Sequence, residues 1–270
     1  INETKKIIKK LANEGIKRID FTGGEPTIKK DLPEIFNYAK TKGIKVIALQ
    51  TNGINLSNKK YLKELIKSGL KEITFSFHSH KKETYNKITN EKHYNKSIKA
   101  LKNLSKAKIT FSVSHVINKL NYQEIIKFID FIKEYNPKSI YFSFLRPNGR
   151  TKKNKWIVPR LKEIKEHVIK AMEYCEKQNI RYEFEGLPLC YMGDYYKKSS
   201  EYSREFEKPT QGYVSSDGVK SDLHGDIHSN LKKKGDQCKS CKLNDNCVGV
   251  WKEYAEMFGT EELNPVKESK

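Results

Sequence analysis

The chain has 270 residues, of which 36% are hydrophobic and 32% charged, and its formal net charge is +20. Its apolar residues fall in short runs, below the roughly 18 consecutive residues of a membrane helix, and no apolar signal core follows Ile1. Composition therefore predicts a cytoplasmic protein with no membrane segment. Only six of the 53 basic residues are arginines, and the lysines are scattered, which favours a solvated basic surface over a nucleic-acid site.

From Glu3 to Leu145, amphipathic helical segments alternate with short β-branched apolar runs. This alternation is typical of an α/β fold in which helices cover a parallel sheet, and it brings the carboxyl ends of the strands to one edge. The predicted strands are Lys17–Thr22, Lys45–Gln50, Glu72–Phe77, Ile109–Ile117 and Ser139–Phe144, with helices that include Leu32–Lys42, Lys60–Lys67 and Gln123–Glu134.

Beyond Arg150 the pattern changes. A long helix is predicted from Pro159 to Gln178, followed by a strand-like run at Arg181–Glu185 and a polar, irregular stretch at Tyr195–Lys234. The sequence therefore predicts two domains, one over residues 1–150 and a second over residues 151–270.

Glycine and polar residues follow the predicted strands. The first strand runs into Phe21-Thr22-Gly23-Gly24-Glu25-Pro26-Thr27, where two glycines allow a tight turn and Glu25 is a fixed acceptor for an ammonium group. A single such turn is ordinary, but its repetition after five strands favours a ligand site. The other strand-end residues are Thr51-Asn52-Gly53, Ser76-Phe77-His78-Ser79-His80, Ser112, Ser114, Asn118 and Leu145-Arg146-Pro147-Asn148-Gly149.

The five cysteines form a second pattern. Cys238, Cys241 and Cys247 have C-x2-C-x5-C spacing, which is typical of a metal site, and Cys190 is the candidate for a remote fourth ligand. Cys175 lies within the predicted helix and is expected to be a core thiol. A lysine-rich cytoplasmic protein disfavours disulfides, whereas four thiolates suit zinc and an iron–sulfur cluster equally well.

The segment Phe21–Thr27 resembles the glycine-glycine-glutamate motif of the radical S-adenosylmethionine (SAM) superfamily, which receives the amino group of SAM. Ser112, Ser114 and Asn118 fall where that family contacts the ribose and carboxylate, and Arg146 is a weaker match. His78 stands where many members have aspartate. The SAM-binding residues that the resemblance implies are Gly23, Gly24, Glu25, Pro26, Thr51, Asn52, Ser112, Ser114, Asn118 and Arg146.

The resemblance implies a partial (β/α)6 barrel that lacks its first strand in this chain, followed by a small cysteine-rich domain. In the family, a C-x3-C-x2-C loop ahead of the glycine motif holds the [4Fe–4S] cluster that cleaves SAM, but no cysteine precedes Glu25. We therefore expect the loop and the first strand to lie upstream of Ile1. This chain alone is expected to be inactive.

The cysteine trio is similar to the core of the C-terminal extensions, called twitch or, when longer, SPASM, that hold auxiliary [4Fe–4S] clusters. The longer form has a further cysteine four positions on, where this sequence has Trp251. The resemblance thus implies a twitch-type domain with one auxiliary cluster, whose ligands are Cys190, Cys238, Cys241 and Cys247.

For function, the resemblance implies an oxidoreductase-type enzyme that generates a 5′-deoxyadenosyl radical and removes a hydrogen atom from its substrate. A peptide or small-molecule substrate is expected, in peptide modification or cofactor maturation, together with an electron donor such as ferredoxin or flavodoxin. The alternative is a zinc-bearing, lysine-rich RNA-binding protein on a barrel scaffold, which metal analysis would distinguish.

Overall fold

The computed structural model describes residues 1–204, 213–214, 220–221 and 231–267. The fold is α/β, as predicted, and is built on a six-stranded parallel sheet whose strands lie in chain order. The sixth strand is the strand-like run beyond residue 180, on the C-terminal side of the predicted domain boundary. The strands are β1 (Arg18–Phe21), β2 (Val46–Thr51), β3 (Leu70–Ser76), β4 (Thr110–Ile117), β5 (Ile140–Phe144) and β6 (Tyr182–Glu185).

Helices follow most of these strands, and local capping sets where some of them begin. Helix α3 (Lys59–Lys67) begins where the Asn58 side chain accepts hydrogen bonds from the backbone N–H groups of Lys60 and Tyr61. No described helix is long and apolar enough to cross a membrane. The helices are α1 (Asn2–Asn13), α2 (Leu32–Thr41), α3 (Lys59–Lys67), α4 (Lys82–Thr89), α5 (Tyr94–Lys106), α6 (Ile125–Lys133), α7 (Leu161–Lys177), α8 (Ser200–Arg204) and α9 (Lys252–Phe258).

Two small antiparallel ladders follow the sheet. Strands β7 (Tyr213–Val214) and β8 (Lys220–Ser221) form one, and strands β9 (Lys232–Lys233) and β10 (Val250–Trp251) form the other. The polar stretch predicted to be irregular, residues 195–234, lies partly outside the described residues.

The two faces of the sheet differ in polarity. Along β3 and β4, buried apolar side chains such as Phe75 and Val113 alternate with less apolar positions such as Thr74 and Ser114. Strands β5 and β6 show the same alternation of buried and half-buried positions. Parallel strands covered on both faces usually read as continuous apolar runs. The alternation therefore indicates one apolar face in the core and one polar face available to a ligand.

The chain divides into two compact units that interleave in sequence. The N-terminal unit comprises Ile1–His115 and Asp130–Ile140, and the C-terminal unit comprises Val116–Ile129 and Tyr141–Lys270. The domain boundary near Arg150 stays a prediction.

Candidate functional site

The glycine-rich turn after β1 fixes a carboxylate at the carboxyl end of β2, in the N-terminal unit. Oε1 of Glu25 accepts hydrogen bonds from the backbone N–H of Thr27 (3.0 Å) and from the hydroxyls of Thr27 (2.5 Å) and Thr51 (2.6 Å). Oε2 accepts one from the backbone N–H of Asn52 (2.7 Å). These four donors are neutral groups, so they orient the carboxylate without neutralising its charge.

The two glycines of the turn leave space beside this carboxylate. Gly23 has a positive φ of 94°, and a Cβ atom built on Gly23 or Gly24 meets nothing within 4 Å. Pro26 begins the short 3-10 turn Pro26–Ile28, which the Glu25 side chain caps. The backbone at the glycines is therefore open to the close approach of a ligand.

Gly53 is required for a different reason. Its φ is +70°, and a Cβ atom there would lie 1.9 Å from Cε2 of the Phe75 ring. The glycine of Thr51-Asn52-Gly53 is therefore explained by backbone conformation and packing. The hydroxyl of Thr51 contributes further by accepting a hydrogen bond from the Gly53 N–H at 2.9 Å.

The two predicted serines of β4 lie at different levels of the sheet. Ser114 is paired with Ser76, the last residue of β3, and so lies near the carboxyl ends of the strands. The buried hydroxyl of Ser112 instead contacts that of Ser139 at 2.9 Å, and Ser139 precedes β5. Ser112 is paired with Thr74 of β3, one level of the sheet below Ser114, and its hydroxyl is engaged by Ser139. The assignment of Ser112 to SAM stays a prediction.

The side chains of Asn118 and Arg146 form hydrogen bonds within the C-terminal unit. The amide of Asn118 shapes the turn after β4, because it donates to Val116 O and accepts from the Leu120 N–H. The Arg146 guanidinium donates twice to Oε1 of Glu253, at 2.7 and 3.1 Å. Their SAM-binding roles also stay predictions.

A histidine pair lies at the ends of β3 and β4. Burial lowers the pKa of His78 to about 4, and burial also lowers the pKa of the fully buried His115 well below its ordinary value, with His78 adding to the effect at His115. Their ring centroids are 6.4 Å apart. Where many superfamily members carry an aspartate, this chain thus presents an uncharged imidazole at neutral pH. No sequence pattern indicated that His115 is a neighbour of His78, because His115 occupies one of the buried, mainly apolar positions of β4.

The C-terminal unit contains a small cavity that four cysteines line. The cysteines are Cys190, in the turn after β6, and the trio Cys238, Cys241 and Cys247. All the cysteines are free thiols, and Cys175 is buried within α7, as predicted. The remaining lining residues are Pro188, Lys234, Leu243, Asn244, Gly249, Leu263 and Asn264.

Backbone N–H groups point at several of these sulfurs. The Val266 N–H lies 3.3 Å from Sγ of Cys241, and the Cys190 sulfur receives a backbone hydrogen bond from Asn264. Burial, with smaller contributions from the three other thiols, raises the pKa of Cys190 to about 12. Such N–H···S hydrogen bonds are among the interactions that tune thiolate-bound clusters. Cysteine binds a metal as the thiolate, so metal binding at this cavity would release protons.

The donor set fits an iron–sulfur cluster. No three His, Cys, Asp or Glu side chains of the described residues are grouped as ligands of one metal ion. A [4Fe–4S] cluster takes one thiolate at each of its four irons, so its cysteines line a cavity rather than meet at a point. Four thiols around one cavity, with amide donors to their sulfurs, match that requirement. Ligation by these cysteines stays a prediction.

Comparison with known proteins identifies the family. Residues 1–132 match the model of the radical SAM superfamily. This part of the chain, just under half of its length, therefore belongs to the radical SAM superfamily. A GTP 3′,8-cyclase from Clostridium botulinum (strain Hall) is 38% identical over 151 residues, which cover 55% of this chain and 46% of that protein. A probable GTP 3′,8-cyclase from Saccharolobus islandicus (strain M.14.25) is 31% identical over 165 residues, covering 61% and 53%. The chain spans about half the length of these curated relatives.

Solved structures of a radical SAM protein share the fold. SuiB from Streptococcus suis, bound to the precursor peptide SuiA, superposes with a TM-score of 0.66 at 18% identity, covering 98% of this chain and 68% of that one. SuiB bound to S-adenosylmethionine gives a TM-score of 0.60 at 16% identity, covering 99% and 68%. At these identities the likeness establishes the fold alone.

Proposed function

We propose that this chain provides the SAM-binding turn and an auxiliary cluster site of a radical SAM enzyme. The observation that supports this most strongly is the Glu25 carboxylate, which is fixed at a strand end by Thr27, Thr51 and Asn52 while its charge is left for a ligand. When bound, SAM and a catalytic [4Fe–4S] cluster supply a 5′-deoxyadenosyl radical, which removes a hydrogen atom from the substrate.

The residues of the turn have separate tasks in this proposal. Glu25 accepts the ammonium group of SAM, and its Oε2 retains acceptor capacity because a carboxylate oxygen accommodates two donors. Thr51 and the Asn52 backbone hold the carboxylate in place before the ligand arrives. Gly23 and Gly24 give the methionine part of SAM access to the backbone.

In the C-terminal unit, Cys190, Cys238, Cys241 and Cys247 hold one auxiliary [4Fe–4S] cluster in a twitch-type domain. The support is their common cavity and the amide donors to their sulfurs. Because burial raises the pKa of Cys190 and Cys247, cluster assembly must displace the protons of these two thiols. The cluster site therefore becomes complete only with its metal.

The substrate is proposed to be a peptide or a small molecule, in peptide modification or cofactor maturation. Relatives of this chain include proteins named for GTP cyclisation and a protein with a bound precursor peptide. The polar face of the sheet offers hydrogen-bonding groups to either kind of substrate. A cytoplasmic location and a ferredoxin or flavodoxin as electron donor complete the proposal.

The test is production of 5′-deoxyadenosine from SAM under anaerobic, reducing conditions, by protein that carries its native N-terminus. Glu25→Gln should lower the rate at least tenfold, whereas Glu34→Gln, at an exposed carboxylate paired with Lys5, should leave it unchanged. Zinc without acid-labile sulfide in the purified protein, together with no SAM cleavage, would overturn the proposal.

A further inference from the structure

A buried ion pair lies close to the cysteine cavity in the C-terminal unit. The Lys232 ammonium is 3.0 Å from Oε1 of Glu201, and the two side chains are 0% and 4% exposed. Within the described residues, neither group adds a well-aligned hydrogen bond. Desolvation of such a pair offsets most of its attraction, so it contributes little to stability.

The backbone ties this ion pair to the cavity. Lys232 lies on β9 and is paired in register with Trp251 on β10, and its ammonium is 3.7 Å from the centre of the indole ring. Lys234, two residues after Lys232, and Gly249, two residues before Trp251, line the cavity itself. Burial lowers the pKa of Lys232, whereas the neighbouring Glu201 and Cys247 act in the opposite direction and favour the ammonium form. The strand pairing and the ion pair therefore fix this side chain beside the cavity lining.

Lys232 cannot serve as a ligand for a substrate. Its side chain is wholly inaccessible to solvent, since the indole covers it on one side and Glu201 pairs with it. In this interior, a charge acts on its neighbours far more strongly than an exposed lysine does, because water no longer screens it. These contacts therefore support an electrostatic effect of Lys232 on the group that occupies the cavity.

We propose that the buried ammonium of Lys232 raises the reduction potential of the cluster in the cysteine cavity, with Glu201 holding that ammonium in place. This inference rests on the proposed function, since it requires the auxiliary cluster. Reduction adds one electron to the cluster, and a nearby positive charge stabilises the reduced form relative to the oxidised form. Local charge and hydrogen bonding are recognised determinants of such potentials. Lys232 is thus a positioning residue for electron transfer.

The experiment is an anaerobic redox titration of the reconstituted auxiliary cluster, followed by absorbance and electron paramagnetic resonance. The informative variant is the double substitution Lys232→Met with Glu201→Gln, because it leaves no unpaired buried charge. Its midpoint potential should become more negative than that of the wild type, and Lys232→Met alone should shift at least as far. Lys239→Met is the matched control, since Lys239 adjoins Cys238 but is 82% exposed, and it should leave the potential unchanged.

The outcomes separate this inference from the proposed function. Absence of iron and sulfide from the wild-type protein would remove the proposed cluster itself. A loaded double variant with the wild-type potential, or a shift no larger than that of Lys239→Met, would overturn the role of Lys232 alone. If a variant takes up less iron, the potential of its loaded fraction decides the question, because a midpoint potential does not depend on occupancy.

Discussion

The Glu25 turn and the cysteine cavity are completed in different ways. In the turn, backbone amides and threonine hydroxyls already hold the carboxylate in position. In the cavity, burial raises the pKa of Cys190 and Cys247, so these two thiols hold their protons until a metal displaces them. One site is therefore built by the hydrogen bonds of the chain, and the other depends on its cofactor. Substitutions in each should have effects of a different kind.

The largest effect is expected at the cysteines. Cys238→Ala should remove most of the iron and the brown colour of the reconstituted chain, since a cluster loses one of its four ligands. Cys175→Ala should leave both nearly unchanged, because that thiol is buried in α7 away from the cavity. Iron content and absorbance after anaerobic reconstitution measure this. Equal losses in the two variants would mean that the colour reports general folding, and the cluster assignment would be withdrawn.

A smaller effect, on stability, should distinguish the two glycine positions of the N-terminal unit. Gly53→Ala should lower the free energy of unfolding by about 3 kcal/mol, because a left-handed backbone and a clash with Phe75 both oppose a Cβ atom. Gly24→Ala should change it by less than about 1 kcal/mol, since its Cβ atom meets open space.

Urea denaturation followed by circular dichroism measures both values, and calorimetry measures SAM binding. Gly24→Ala should weaken SAM binding despite its normal stability. Normal SAM binding by this variant would show that the open space beside the glycine is not used by the ligand.

The smallest effect concerns acid stability. Because burial lowers the folded-state pKa of His78 to about 4, the unfolded chain binds more protons than the folded chain below its ordinary pKa of 6.5. Stability should therefore be complete above pH 6.5 and fall as the pH drops from 6.5 towards 4. His78→Phe should reduce this loss. Urea midpoints at pH 7 and pH 5 for the two proteins measure it, and an unchanged difference between these midpoints would contradict burial of His78 as the cause of the acid sensitivity.

The sheet and the Glu25 turn could be predicted because their determinants are local. Apolar runs that alternate with amphipathic helical segments specify parallel strands, and parallel strands bring their carboxyl ends together. The contact of Ser112 with Ser139 could not be predicted, because it joins residues that are 27 positions apart in the sequence. The ion pair between Arg146 and Glu253, which are 107 residues apart, is likewise a tertiary contact that no local pattern indicates.

The burial of Lys232 also could not be predicted from the sequence. It lies in a polar stretch of weak periodicity, and lysine is almost never fully buried unless it is paired. Its partner Glu201 is 31 positions away by residue number, and no spacing rule links them. The cysteines are the opposite case, since thiol spacing grouped the trio in the sequence, and Cys190 lines the same cavity; their binding of a metal stays a prediction.

The recognition of the SAM ammonium group by Glu25 is tested most directly by calorimetric binding of two ligands to two proteins. The ligands are SAM and a SAM analogue that lacks the amino group, and the proteins are the wild type and Glu25→Gln. Loss of a hydrogen bond to a charged group should weaken SAM binding about 10- to 100-fold in Glu25→Gln, with the affinity for the analogue nearly the same in both proteins. Equal weakening of both ligands would show that Glu25 supports the turn without contacting the ammonium group, and would contradict the assignment.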